Sequence, residues 1–121
     1  MKIENQVTCR ELSKQLKECG YKQEGMWWWE QIEENKNSYS LELYTLGEKW
    51  GIKDCRFVAP TVAELGLALL NRCYTRHTKR GWVCYFQGLK YARTDEYKCD
   101  ALVEADARAK MWLHLKKEKV I

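Results

Sequence analysis

The chain has 121 residues, 45% of them hydrophobic and including six Trp and seven Tyr, which is enough apolar surface for the core of one ordinary domain spanning residues 1–121. Charged residues make up 31% of the chain in well-mixed sign, and the net charge of +4 permits an anionic partner without demanding a nucleic-acid one. No apolar run of signal-peptide length follows the polar Met1-Lys-Ile-Glu-Asn-Gln6, and no stretch approaches the ~18 apolar residues of a membrane span, so the expectation is a soluble, cytoplasmic protein with no membrane partner.

The first predicted element opens at Thr8-Cys-Arg-Glu11. A threonine followed three residues later by a glutamate forms a capping box, the hydroxyl accepting the N3 amide while the carboxylate reaches back to the cap amide. Leu12, Leu16 and Cys19 then recur on one helical face, with Arg10, Lys14, Lys17 and Glu18 on the other, and Gly20 supplies a stop. Met26 to Ile32 and Tyr39 to Tyr44 read as strands joined by the polar, turn-rich segment 33–38. Leu41 and Leu43 alternate with Ser40, Glu42 and Tyr44, which predicts a sheet with one apolar and one wetter face. Residues 46–54 read as a loop leading into a short strand, Cys55 to Ala59.

Pro60, the only proline, biases Ala59 toward extended geometry and sharpens the boundary before Thr61-Val-Ala-Glu64, a second capping box. The helix it opens is predicted over Val62 to Cys73, with Val62, Leu65, Leu69 and Cys73 on its apolar stripe and Gly66 allowing close approach to a sheet. A tryptophan follows each cap threonine by 21 residues, Trp29 after Thr8 and Trp82 after Thr61, suggesting a duplicated α-β-β unit. Gly81 opens a strand, Trp82 to Gln87, with Trp82, Cys84 and Phe86 on one face and Val83 and Tyr85 on the other. Gly88 turns the chain into Tyr91 and Ala92, Arg93 to Glu96 is a turn, and Tyr97 to Leu102 is a further strand. The last helix, Glu104 to Lys117, carries acids at its positive end and lysines at its negative end. The order is α-β-β-(β)-α-β-β-β-α, an α+β layered sandwich with helices packed on a mainly antiparallel sheet.

Six cysteines, Cys9, Cys19, Cys55, Cys73, Cys84 and Cys99, show no Cys-x-x-Cys, and His77 and His114 stand far from any zinc-finger spacing. They are read as reduced, with Cys19, Cys73 and Cys84 filling apolar faces. The chain has no glycine-rich phosphate loop, no Gly-x-Ser-x-Gly elbow and no His-Glu-x-x-His. The pairs Glu33-Glu34 and Asp95-Glu96 fall in predicted turns, where solvated charge is the ordinary explanation. No catalytic residue, metal or cofactor is expected, and the protein is read as a binder rather than an enzyme.

Two segments stand out. Arg72-Cys-Tyr-Thr-Arg-His-Thr-Lys-Arg80 carries Arg72, Arg76, Lys79 and Arg80 with no acid, and then meets Trp82. Arginine forks match phosphate oxygens, and Tyr74 or Trp82 can stack on a base, so Arg72, Tyr74, Arg76, His77, Lys79, Arg80 and Trp82 are the candidate anion or nucleotide site. The plain reading is a solvated basic loop balancing the acids of residues 30–34. The second segment is Trp27-Trp28-Trp29, whose rings cannot all enter one core from an extended strand. With Trp27 and Trp29 inward, Trp28 faces out, and Trp27, Trp28, Trp29 and Tyr44 form a candidate protein interface, unless a helix or long loop covers the outward ring.

Thr61-Val-Ala-Glu-Leu-Gly66, the strand Gly81-Trp-Val-Cys-Tyr85 and the closing Glu104-Ala-Asp-Ala-Arg-Ala-Lys-Met111 together resemble a group of small proteins encoded by phages and prophages. More distantly, the order of elements is similar to the phage αβα-sandwich domain family. The relatives usually cap the last helix with Thr or Ser where this chain has Val103, so either the cap moves to Asp100 or the helix starts less cleanly. The resemblance implies a fold, a viral setting and the cytoplasm of a host bacterial cell. It carries no established activity and no catalytic residue. The expectation is a small non-enzymatic binding protein that blocks a host protein or nucleic-acid site or sequesters a nucleotide, with inhibition of a bacterial defence system as one instance; the alternative is a homo-oligomeric accessory protein, such as a homodimer.

Overall fold

A computed structural model describes residues 3–31, 39–43, 56–69, 73–86 and 98–119. The elements are α1 (Arg10–Glu18), β1 (Trp27–Gln31), β2 (Tyr39–Leu43), β3 (Arg56–Val58), α2 (Val62–Ala68), β4 (Cys73–Thr78), β5 (Gly81–Phe86), β6 (Lys98–Ala101) and α3 (Glu104–Lys117), after a short 3-10 turn at Ile3–Asn5. The α+β class is the one the sequence predicts and the element order roughly matches, with β4 at residues expected to be helix end and loop, while the strand expected at Tyr91 and Ala92 lies outside the described residues. The strands form not one sheet but two, both antiparallel and three-stranded, ordered β2-β1-β3 and β4-β5-β6. The duplication therefore does not extend to topology. The central strand is the first of its group in one sheet and the second in the other, and the two Trp of the 21-residue spacing each sit on a central strand.

The last helix is the centre of the molecule. Ala105, Ala107, Ala109, Met111, Trp112 and Leu115 are all buried, spread over more than one stripe, because α3 packs on the β4-β5-β6 sheet and also meets α1 and α2. Leu16 of α1, Tyr21, Val58 of β3, Leu65 and Leu69 around α2, and Cys84 and Phe86 of β5 complete the core. Tyr21 meets Trp112 edge-on with ring centroids 5.2 Å apart, the geometry the ring quadrupoles favour.

The two capping boxes have different fates. At α2 the box forms in full, with Thr61 Oγ1 accepting from the Glu64 amide at 3.2 Å and Glu64 Oε1 accepting from the Thr61 amide at 3.0 Å. At α1 it does not form. The N-cap is Cys9, without a side-chain cap, and the buried Thr8 hydroxyl instead donates to the Pro60 carbonyl at 3.1 Å. The Thr8 carbonyl accepts from Ser13 Oγ and from the Trp29 indole N–H, at 3.1 and 3.0 Å. Thr8 thus ties the chain entry to the segment before α2, a tertiary role that outcompetes the local cap. The last helix starts at Val103 with no side-chain cap, the less clean of the two expected starts.

α2 ends at Ala68 rather than reaching Cys73, which already belongs to β4. Gly66 accommodates α3, not a sheet: a Cβ there would lie 2.7 Å from Nη1 of Arg108. Cys19, expected on an apolar face, is exposed at the C-cap of α1, whereas Cys84 is buried and Cys73 half-buried. The expected features at residues 33–38, 46–54 and 88–96, with Cys55, lie outside the described residues. Among the described residues no helix is long and apolar enough to cross a membrane.

Candidate functional site

The segment read as a basic loop is mostly a strand. β4 and β5 form a hairpin with the register Tyr74↔Tyr85, Arg76↔Val83 and Thr78↔Gly81, leaving only Lys79 and Arg80 in the turn. Thr78 is β-branched, its hydroxyl donates to the Gly81 carbonyl at 3.2 Å and also accepts from the Arg80 amide at 3.3 Å. Gly81 adopts φ of 127°, a region L side chains rarely enter, and a Cβ there would lie 2.6 Å from the Ala101 carbonyl of β6. The sequence Thr-Lys-Arg-Gly thus closes a tight hairpin against a third strand.

Alternation along the strands divides the candidate residues between two faces. The inner face, under α3, carries Cys73, Thr75, Cys84, Phe86, Cys99 and Ala101, with the opposed pair His77 and Trp82 at its far end. Those two rings lie 4.8 Å apart, inclined at 40°. Trp82 also lines an open hollow of about 640 Å³ with Thr61, Val62, Ala63, Leu102 and Val103, between the first turns of α2 and α3.

The outer face carries two rungs across three strands: Tyr74, Tyr85 and Lys98 in one, Arg76, Val83 and Asp100 in the next. Tyr74 and Tyr85 are stacked, with centroids 4.9 Å apart and planes 18° from parallel, and Tyr74 remains 42% exposed. Arg76 and Lys98 are exposed, and neither, nor Lys79 or Arg80 at the hairpin tip, forms an ion pair with a described acid. Asp100 is two strands from Arg76, a separation of roughly 9–10 Å by strand spacing, and the two form no ion pair among the described residues. The outer face is an aromatic shelf edged by cations.

Of the predicted site, therefore, Tyr74 and Arg76 come together on the outer face, Lys79 and Arg80 sit at the tip that borders both faces, and His77 and Trp82 lie on the opposite face. Arg72 lies outside the described residues. Sequence reasoning missed Tyr85 and Lys98. Tyr85 was already assigned to the face opposite Trp82, and reading residues 73–78 as a strand would have brought Tyr74 and Arg76 beside it.

The tryptophan triplet is inverted relative to expectation. Trp28 packs against the core beside Val58, its register partner, and its indole N–H donates to the Gly25 carbonyl at 3.0 Å. Trp27 and Trp29 lie on the other face, both half-buried. Trp29 is held by its bond to the Thr8 carbonyl and lies opposite the buried Phe57, which meets Tyr39 at 5.3 Å, while Arg10 lies 5.2 Å over the Tyr39 ring. The segment leading into α1 thus covers part of the face expected to be core. Trp27, opposite Leu43 and beside Met26, which are 48% and 58% exposed, is the apolar end of that sheet. Tyr44 lies outside the described residues.

Among the described residues, no group of three or more His, Cys, Asp or Glu side chains is arranged to hold a metal ion. Comparison with known proteins returned no match: no family model, no curated protein and no solved structure aligns with the chain.

Proposed function

We propose that this protein acts by binding rather than by catalysis, and that the outer face of the β4-β5-β6 sheet takes a nucleotide or a single-stranded nucleic acid. The observation that carries the reading is the exposed Tyr74–Tyr85 stack with Arg76 beside it and Lys98 completing its rung. A base continues such a stack through its π-face, contributing about 1–3 kcal/mol, and is tolerated whatever its sequence. Arg76, Lys98 and the tip residues Lys79 and Arg80 then meet phosphate oxygens by charge-assisted hydrogen bonds.

The resemblance to small phage and prophage proteins implies an infected bacterial cell as the setting. There the ligand would be a host nucleic acid or a nucleotide signal, and its occupation would inhibit a bacterial defence system. A thermal-shift panel tests the class of ligand: nucleotides, cyclic oligonucleotides and short single strands raise the midpoint in a salt-sensitive way, and silence across the panel counts against the reading.

A second reading, self-association, is favoured by one observation. Met26, Trp27 and Leu43 leave apolar area at the end of the β2-β1-β3 sheet, the kind of patch that two copies bury against each other. Light scattering at rising concentration decides it, and Trp27→Glu would dissolve a dimer built there.

A further inference from the structure

The hollow between the first turns of α2 and α3 belongs to the inner face of the β4-β5-β6 sheet, the side away from the Tyr74–Tyr85 shelf. Its volume of about 640 Å³ falls in the range of about 300–1,000 Å³ usual for small-molecule sites. Val62, Leu102 and Val103 make it mainly apolar, Trp82 is its aromatic surface, and Glu104 is the one ionisable group among the described residues that line it. Neighbours hold both of these side chains. Trp82 lies against His77 with ring centroids 4.8 Å apart. The Thr75 hydroxyl donates to Oε2 of Glu104, and Nη2 of Arg108 lies 3.9 Å from the same oxygen. Glu104 Oε1 accepts no hydrogen bond from a described residue.

We propose that this hollow is a guanine site, the base stacking on Trp82 and donating its N1–H and N2 amino hydrogens to the Glu104 carboxylate. The class of ligand follows from charge. Arg108 already offsets the carboxylate, so a cation gains little there, whereas a neutral ligand with N–H donors gains charge-assisted hydrogen bonds to Oε1 and to the remaining lone pair of Oε2. Guanine alone among the common bases presents two adjacent donors on its Watson–Crick edge. Adenine and cytosine set a ring-nitrogen acceptor beside their amino group, which the carboxylate repels, and uracil flanks its single N–H with carbonyls. The O6 and N7 acceptors of guanine find amide donors in Asn5 and Gln6, which also line the hollow and are exposed. The Tyr74–Tyr85 shelf takes any base by its π-face, whereas Glu104 reads one base by its edge. This site does not depend on the outer face.

The test is calorimetric titration of the whole chain with the 5′-monophosphates of guanosine, inosine, adenosine and cytidine, repeated on Glu104→Gln and Tyr74→Ala. In the wild type the guanosine nucleotide should bind about 5- to 150-fold more tightly than those of adenosine and cytidine, the discrimination of one good bidentate pair. Inosine, which keeps N1–H but lacks the N2 amino group, should fall between. Glu104→Gln should lower the guanosine affinity to about that of inosine, and Tyr74→Ala should leave it unchanged. Equal affinity for the four nucleotides, no saturable binding of any, or a guanine preference that survives in Glu104→Gln would each overturn the site. The wild-type ranking decides whatever the folding of the variants. Guanosine binding that persists in Tyr74→Ala belongs to the hollow even if the outer face takes no nucleotide, and binding lost there would overturn the assignment to the hollow.

Discussion

The backbone N–H of Cys9 donates to Oδ1 of Asp106 across 2.7 Å, so the N-terminus of α1 is capped from the first turn of α3, 97 residues away in sequence. Neither helix has a side-chain cap of its own, and Asp106 stands near the positive ends of both. One carboxylate thereby links the starts of the two helices.

Burial holds the Asp106 carboxyl above its ordinary range despite the bond from Cys9. The folded chain therefore keeps this proton to higher pH than the unfolded chain, and the group's contribution to stability improves as pH falls through its folded pKa. Asp106→Asn keeps an acceptor for Cys9 without the charge. The difference in unfolding free energy between wild type and this variant should shift toward wild type between neutral pH and roughly pH 4; a flat difference would show that the carboxylate is not desolvated. Asp106→Ala should cost about 1–2 kcal/mol at neutral pH, since the Cys9 amide loses its partner.

Trp28 belongs to the core and Trp27 to the edge. Urea unfolding of Trp28→Ala should reveal a loss of about 3 kcal/mol, with Trp27→Ala nearer 1 kcal/mol. Equal losses would mean that the two faces of β1 are assigned the wrong way round.

Thr61→Ala should cost about 1 kcal/mol through the lost capping box, and Thr61→Ser should recover most of it. Thr8→Val, which removes only the hydroxyl bond to Pro60, should leave the helical circular dichroism of α1 unchanged. A helical loss in that variant would restore the local cap that Thr8 does not make.

Gly81 is required twice, for φ of 127° and for the 2.6 Å approach that a Cβ would make to the Ala101 carbonyl. Gly81→Ala should destabilise by about 2 kcal/mol or more and weaken ligand binding with it, because it distorts the hairpin that sets the outer face. Thermal unfolding within about 0.5 kcal/mol of wild type would contradict the hairpin geometry.

Helix starts and apolar periodicity made the α+β order legible, because Thr61, Glu64, Pro60 and the alternation of Trp82, Cys84 and Phe86 each act locally. What escaped was decided at long range. Thr8 satisfies Pro60 and Ser13 rather than its own helix, and Asp106 replaces it as the cap. Charge density in residues 72–80 suggested a loop, yet an exposed strand face carries Tyr74 and Arg76 without penalty once the other face packs on α3. The triplet Trp27-Trp28-Trp29 fixes only that its rings alternate. Which face is covered depends on where the segment before α1 and β3 lie, and no local pattern encodes that.

The most direct test of the binding reading is fluorescence anisotropy of a labelled oligothymidine against the wild-type chain, Tyr74→Ala and Arg76→Ala, at two salt concentrations and with an abasic strand as control. The account predicts salt-sensitive binding to the base-bearing strand, a loss of about 1–3 kcal/mol in Tyr74→Ala and a shallower salt dependence in Arg76→Ala. Equal affinity for the abasic strand, or a Tyr74→Ala variant that binds like wild type, would contradict it.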